Sequence, residues 1–100
     1  MKGGTLFLFP TSAEAEGFRT LCPDAEWREI GVGPAEAGAR AARFIASTGC
    51  ARAVLCGIAG ACDRRTAIGE AVEAVADGVA GLPAAYATTY LAERATDLPA

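Results

Sequence analysis

The sequence predicts an α/β fold in which a mostly parallel or mixed sheet is flanked by helices. Short apolar runs alternate with segments of helical periodicity, which is the order produced by parallel strands joined through crossover helices. Of the 100 residues, 52 are hydrophobic and 12 are glycine, a composition typical of a globular chain whose elements pack closely. Because a chain of this length forms one modest core, we predict a single domain over residues 1–100.

The first strand is predicted at residues 5–9, a continuous apolar stretch that stops at Pro10. Such a run is typical of a strand that is buried on both faces of an α/β sheet. A helix is predicted next, because Thr11 is a good N-cap residue and the carboxylate of Glu14 in the first turn suits the helix dipole. We expect this helix to end near Leu21, just before a proline.

A second strand is predicted at residues 27–32, followed by the helix with the clearest pattern in the sequence. Pro34 stands where a first helical residue belongs, and Gly49 is placed to end the helix. Its contact face begins with small side chains, so this helix can approach a sheet closely. The residues of that face are Ala37, Ala41, Phe44 and Ile45.

The third strand is predicted at residues 53–56, and it leads into a loop over 57–61 that is too rich in glycine to be helical. Together these elements form a βαβ unit with a right-handed crossover. From 69 to 79 the periodicity of the valines and alanines, taken alone, favours a helix. One more helix is predicted in the tail, over residues 84–94.

The charge and hydropathy patterns exclude two classes of partner. Nine basic and twelve acidic residues give a net charge of −3, spread along the chain, so no basic stripe is present to neutralise a nucleic-acid backbone. No apolar run approaches the ~20 residues that span a bilayer, and the apolar start is too short for a signal peptide. We therefore expect a cytoplasmic protein that binds neither nucleic acid nor membrane.

The cysteines and the absence of histidine limit the chemistry further. The sequence has four cysteines without CxxC spacing and no histidine, which excludes Ser-His-Asp and Cys-His catalysis and most metal sites. We expect no metal and no cofactor. Free cysteines behave as small hydrophobic residues, so we predict that all four are reduced, unliganded and mostly buried. They are Cys22, Cys50, Cys56 and Cys62.

Three features that could carry chemistry follow the ends of the predicted strands. Glu14 comes just after the first strand, and the glycine segments 31–33 and 57–60 end the next two. In open α/β sheets the carboxyl ends of the strands line the crevice in which ligands bind. Backbone N–H groups of glycine loops could approach a sugar or an anion there, and one carboxylate could hold a water molecule as general base. The alternative is structural: glycines that permit a turn, and a solvated carboxylate in the first turn of a helix.

Four segments of the sequence resemble the first half of the purine nucleoside phosphorylase and nucleosidase superfamily. They are Phe-Leu-Phe-Pro-Thr-Ser-Ala-Glu-Ala-Glu at 7–16, Gly-Val-Gly-Pro-Ala-Glu-Ala at 31–37, Leu-Cys-Gly-Ile-Ala-Gly-Ala-Cys-Asp at 55–63 and Ile-Gly-Glu at 68–70. Within the superfamily, Gly-Ile-Ala-Gly-Ala is most similar to futalosine hydrolase, a nucleosidase of menaquinone biosynthesis. The methylthioadenosine/S-adenosylhomocysteine nucleosidases come next, although they tend to have serine where Ile58 stands.

The resemblance implies a site for hydrolysis of a purine-type nucleoside at its N-ribosyl bond. It aligns Glu14 with the glutamate that activates water, or Glu16 if the alignment slips by two residues. The positions it assigns to ligand binding are Gly33, Ile58, Ala59 and Gly60. The resemblance also implies a strand over 70–79, where the periodicity taken alone favours a helix.

Two departures from the family pattern qualify this resemblance. Phosphorylases of the superfamily have a phosphate-binding arginine where this chain has Leu55, which favours hydrolysis over phosphorolysis. The family's acid and ribose-binding segments belong to a second half, so we expect a truncated domain that is inactive alone or one half of a split enzyme. A non-catalytic binding or assembly protein and a remnant without function are the alternatives.

The number of large hydrophobic residues favours association with another chain. Of the 52 hydrophobic residues 24 are alanine, which leaves 28 larger ones. So small a number favours a homo-oligomer or assembly with a complementary C-terminal half.

Overall fold

Three strands and two helices form the first part of the chain. The computed structural model describes residues 2–94 and 96–100, and it divides into two units, Met1–Gly60 and Ala61–Ala100. The elements of the first unit are β1 (Thr5–Phe9), α1 (Ser12–Leu21), β2 (Glu26–Glu29), α2 (Pro34–Thr48) and β3 (Arg52–Leu55). The strand order is β2-β1-β3 and both pairings are parallel. The predicted α/β class and its parallel sheet are therefore confirmed.

Strand β1 lies in the middle of this sheet and packs against a helix on each face. Leu6 and Leu8 point to one face, where they meet Ile30 and the small-residue side of α2. Phe7 and Phe9 point to the other face, where their rings lie 4.7 and 5.2 Å from the ring of Phe18 on α1. Because side chains alternate between the two faces of a strand, one apolar run supplies the packing contacts on both faces of the sheet.

The observed strand ends differ from the predicted ones for identifiable reasons. Strand β2 ends at Glu29 rather than at residue 32, although the N–H of Ile30 still donates to the carbonyl of Phe9 at 2.8 Å. Gly31 then takes a φ of 86°, a left-handed conformation that turns the chain out of the strand. Beyond β3, the N–H of Cys56 donates to the carbonyl of Leu8 at 2.8 Å, so backbone pairing continues for one residue.

The second unit contains two short strands and is held together by polar contacts. Strands β4 (Ala76–Gly78) and β5 (Thr89–Leu91) pair antiparallel. None of the described residues from 61 to 100 is buried. The carboxylate of Glu73 accepts hydrogen bonds from the backbone and hydroxyl of Thr96, at 3.2 and 2.7 Å, and lies 3.4 Å from Arg94. Charge and hydrogen bonding, rather than apolar burial, therefore order this segment.

Two predictions for the second unit were wrong in detail. The helix expected over 84–94 is replaced by β5, where threonine and tyrosine favour an extended chain. The strand expected over 70–79 is reduced to Ala76–Gly78.

The single-domain expectation for residues 1–100 stays a prediction. No helix in the described part of the chain is long and apolar enough to cross a membrane.

The expected burial of the cysteines was also wrong. Cys22 and Cys62 are exposed, whereas Cys50 and Cys56 are half-buried. Cys22 caps the exposed end of α1, and Cys62 belongs to the unit in which no described residue is buried. All four are free thiols.

We expect Leu6→Ala to lower the free energy of unfolding by about 2–5 kcal/mol, because Leu6 is fully buried and its loss leaves a cavity in the core beside α2. Leu21→Ala is the matched control, since Leu21 is 83% exposed and its truncation should change the free energy by less than about 0.5 kcal/mol. Urea denaturation of both variants measures the difference. Equal midpoints for the two variants would contradict the proposed core.

Candidate functional site

The carboxylate of Glu14 joins the turn after β1 to the loop after β3. Its Oε1 atom accepts a hydrogen bond from the backbone N–H of Ile58 at 3.2 Å. Its Oε2 atom accepts one from the hydroxyl of Thr11 at 2.7 Å. Two of the residues that the sequence analysis selected, Glu14 and Ile58, are 44 positions apart in the chain and are in direct contact here.

The contact follows from the arrangement of the strands. Because β1 and β3 are adjacent and parallel, with Leu8 opposite Leu55, both strands end at the same edge of the sheet. Helix α1 leads from β1 to β2 on one side, whereas α2 returns across β1 to reach β3 on the other side. The first connection thus leads away from β3 and the second returns across β1, and ligands of α/β sheets bind beyond the carboxyl ends of such strands.

The first turn of α1 holds Glu14 in position. Thr11 is the N-cap residue, and its hydroxyl oxygen accepts the N–H of Glu14 at 3.3 Å while its O–H donates to the carboxylate of the same residue. A hydroxyl has one donor and two acceptor sites, so it can make both bonds at once. The Thr-x-x-Glu pattern of a helix start therefore also fixes the orientation of the carboxylate.

A second carboxylate, which the sequence analysis did not select, lies at the same helix end. Glu29, the last residue of β2, accepts the backbone N–H of Ser12 at 2.6 Å. A free N–H group and the positive end of the helix dipole both favour a carboxylate here. An acidic residue at the carboxyl end of a neighbouring strand was the available signal. The Thr11 hydroxyl and the Glu29 carboxylate thus accept N–H groups at the start of α1.

The four residues predicted to bind ligand lie in two places, at the start of α2 and in the loop after β3. Gly33 is the N-cap residue of α2 and has a φ of 96°, so glycine is favoured there for conformational reasons. The side chain of Ile58 is 87% exposed, and Ala59 and Gly60 continue the exposed loop. The structure therefore brings Glu14 to the glycine loop after β3, and it places Gly33 at the start of the other helix.

Glu16, the alternative base, lies on a different side of α1. It lines an open groove with Arg19 and Trp27, and the guanidinium of Arg19 lies 4.8 Å from the centre of the Trp27 ring. Cys22 and Pro23 also line this groove, which lies toward the C-terminal end of α1. Glu14 and Glu16 therefore face different surroundings, and of the two it is Glu14 that binds the Ile58 N–H.

The described residues form no metal-binding cluster, and the thiol next to the glycine loop is a poor nucleophile. Within residues 2–94 and 96–100, no three histidine, cysteine or acidic side chains are grouped so that they could hold a metal ion. Cys56, next to the glycine loop, is half-buried, and this burial raises the pKa of its thiol. A raised pKa lowers the thiolate fraction and so disfavours Cys56 as a nucleophile.

Comparisons of this chain with protein-family models, with curated proteins and with solved structures found no match.

We expect iodoacetamide to alkylate Cys22 and Cys62 before Cys56 at neutral pH. The first two thiols are exposed, whereas burial raises the pKa of Cys56 and restricts access to it. Labelling of Cys56 should accelerate as the pH rises, because more of the thiol becomes thiolate. Peptide mass spectrometry over time measures the order, and labelling in denaturant gives the unprotected rates. Alkylation of Cys56 as fast as that of Cys62 in the folded chain would contradict this assignment.

Proposed function

We propose that this chain carries the water-activating part of a nucleosidase of the nucleoside phosphorylase-like fold, with Glu14 as the general base. The observation that carries the proposal is the carboxylate of Glu14, oriented by the Thr11 hydroxyl and by the Ile58 N–H at the edge where β1 and β3 end. A carboxylate has about four acceptor sites, so the two bonds leave capacity for a water molecule. The closest resemblance favours a purine-type nucleoside, of the futalosine class, as substrate.

In the proposed reaction Glu14 accepts a proton from water while the water oxygen attacks the anomeric carbon of the ribosyl group. The bond between that carbon and the base nitrogen breaks, and its electron pair leaves with the base. An acid then protonates the departing base. A base held within hydrogen-bond reach of the water contributes typically ~10²–10⁴-fold to the rate.

The charges at the site favour water over phosphate as the nucleophile. Glu14 and Glu29 occupy N–H groups at the glycine loop and at the start of α1. A phosphate entering there would meet two negative side chains rather than free N–H donors. Leu55 stands where the phosphorylases of the superfamily have an arginine, which removes the cation that would balance a phosphate.

The resemblance places the acid and the ribose-binding residues in a segment that follows this region. We therefore propose that the 100-residue chain does not hydrolyse nucleosides by itself. The acid and the ribose-binding residues of that segment would be needed to complete the site.

We expect the chain alone to release no measurable base from futalosine, methylthioadenosine or adenosine, and we expect a complementary acid-bearing half to restore hydrolysis. Glu14→Gln should then lower the restored rate by about 10²–10⁴-fold, since the amide keeps the size of the side chain but cannot accept the proton. Glu16→Gln is the matched control and should change the rate little. Release of free base, followed by chromatography, measures the rate.

Two outcomes would contradict this proposal. Rapid hydrolysis by the chain alone would show that no second acid is required. Restored hydrolysis that is equally fast in the Glu14→Gln variant would show that another residue activates the water.

The second candidate function is a non-catalytic assembly protein that forms homo-oligomers. Strand β3 is an edge strand of the parallel sheet, and its last residue, Leu55, is 67% exposed. An unpaired strand edge that carries apolar side chains favours pairing with another chain. A second copy of this chain, aligned along the free edge of β3, is the partner that we propose.

We expect the sedimentation coefficient to increase with concentration across the micromolar range, because association along β3 would bury its edge and the side chain of Leu55. Leu55→Glu should weaken this association by about tenfold or more, since it places a charge in the interface. Leu21→Glu is the control, because Leu21 is 83% exposed but lies on α1. A monomer at all concentrations, or equal effects of the two variants, would contradict the assembly.

A further inference from the structure

Gly57, the first residue of the loop after β3, lies close to the Glu14 carboxylate. A Cβ atom built on Gly57 would lie 3.3 Å from the Oε1 atom of Glu14 and 3.6 Å from two ring carbons of Pro10. The distance to the carboxylate is tighter than an ordinary van der Waals contact, whereas the distances to the proline are ordinary. The constraint at this position therefore comes from the carboxylate.

The backbone conformation does not explain a glycine at this position. Six glycines of the described chain have positive φ, and neither Gly57 nor Gly60 is among them. A Cβ atom on Gly60 would meet nothing within 4 Å. Neither glycine therefore has a positive φ that would favour glycine, and of these two residues of the same loop only Gly57 is close to Glu14.

We infer that Gly57 is a positioning residue for Glu14: its missing side chain lets the carboxylate reach the Ile58 N–H. With a methyl group at position 57, Oε1 would have to move by a few tenths of an ångström, and the 3.2 Å hydrogen bond to Ile58 would lengthen toward a distance at which such bonds are weak. The hydroxyl of Thr11 would still hold Oε2, so the carboxylate would rotate rather than leave the site.

This inference rests on the proposed role of Glu14 as a base, and it specifies what sets the position of that base. A water molecule held by the carboxylate shifts whenever the carboxylate shifts. Misplacement of a reacting group by 1 Å can cost ~10²-fold in rate. Gly57 acts on the reaction only through Glu14, and we assign it no contact with the substrate.

The test follows the amide signal of Ile58 by nuclear magnetic resonance while the pH is lowered through the titration of the carboxylates. In the unmodified chain, protonation of Glu14 should shift this amide, because its acceptor loses its charge. Glu14→Gln should abolish the shift. We expect Gly57→Ala to reduce its amplitude by about twofold or more, because the hydrogen bond weakens with distance. Gly60→Ala, the matched control, should leave the amplitude unchanged.

A thermal double-mutant cycle keeps the test valid if Gly57→Ala disturbs folding. The drop in Tm caused by Gly57→Ala should disappear in a Glu14→Ala background, where no carboxylate remains for the new methyl group to meet. An equal drop in both backgrounds would assign the effect to Pro10 or the backbone and would overturn the inference. An unchanged Ile58 titration in a folded Gly57→Ala variant would overturn it as well.

The two measurements separate this inference from the proposed function. Both read the position of the carboxylate in the chain as it stands, with no substrate and no second polypeptide. An Ile58 shift that follows Glu14 and depends on residue 57 supports the positioning role even if no nucleoside is hydrolysed. Persistence of the shift in Glu14→Gln would show that a different group titrates there and would overturn the inference.

Discussion

Burial of strand β1 on both faces is the constraint on which the first unit depends. Leu6 and Leu8 are almost completely removed from solvent on one face, and Phe7 and Phe9 contact the ring of Phe18 on the other. A strand of this kind requires a hydrogen-bonding neighbour on each edge and a covering element on each face, because otherwise its apolar side chains and backbone groups would be left exposed. Strands β2 and β3 and both helices meet these requirements.

The geometry of the candidate site is a consequence of that packing. Since the strands are parallel, the turn before α1 and the loop after β3 emerge at the same edge, and Glu14 can connect them through the N–H of Ile58. The start of α1 has N–H groups that need acceptors, and the chain supplies the Thr11 hydroxyl and the Glu29 carboxylate for this purpose. The stabilisation of a helix end and the placement of a candidate base are therefore achieved by the same hydroxyl, because Thr11 accepts the N–H of Glu14 and donates to its carboxylate.

The sequence predicted the elements up to residue 56 because each has a strong local signal, such as the apolar run of β1 or the glycine that ends α2. It also predicted that Glu14 and the glycine loop share an edge, which follows from parallel strands alone. It did not predict the cap at Glu29, since which carboxylate reaches Ser12 depends on the register between β1 and β2. Beyond residue 60, the spacing of alanine and valine favours a helix. None of the described residues there is buried, so no core stabilises such a helix.

The absence of buried residues among those described from 61 to 100 affects how the protein unfolds. The heat capacity change of unfolding and the denaturant m-value both scale with the surface that becomes newly exposed. A segment whose side chains already face solvent contributes little to either quantity. A calorimetric or denaturant transition of this protein therefore reports on Met1–Gly60, and the loss of the Glu73 contacts to Arg94 and Thr96 adds little to either quantity.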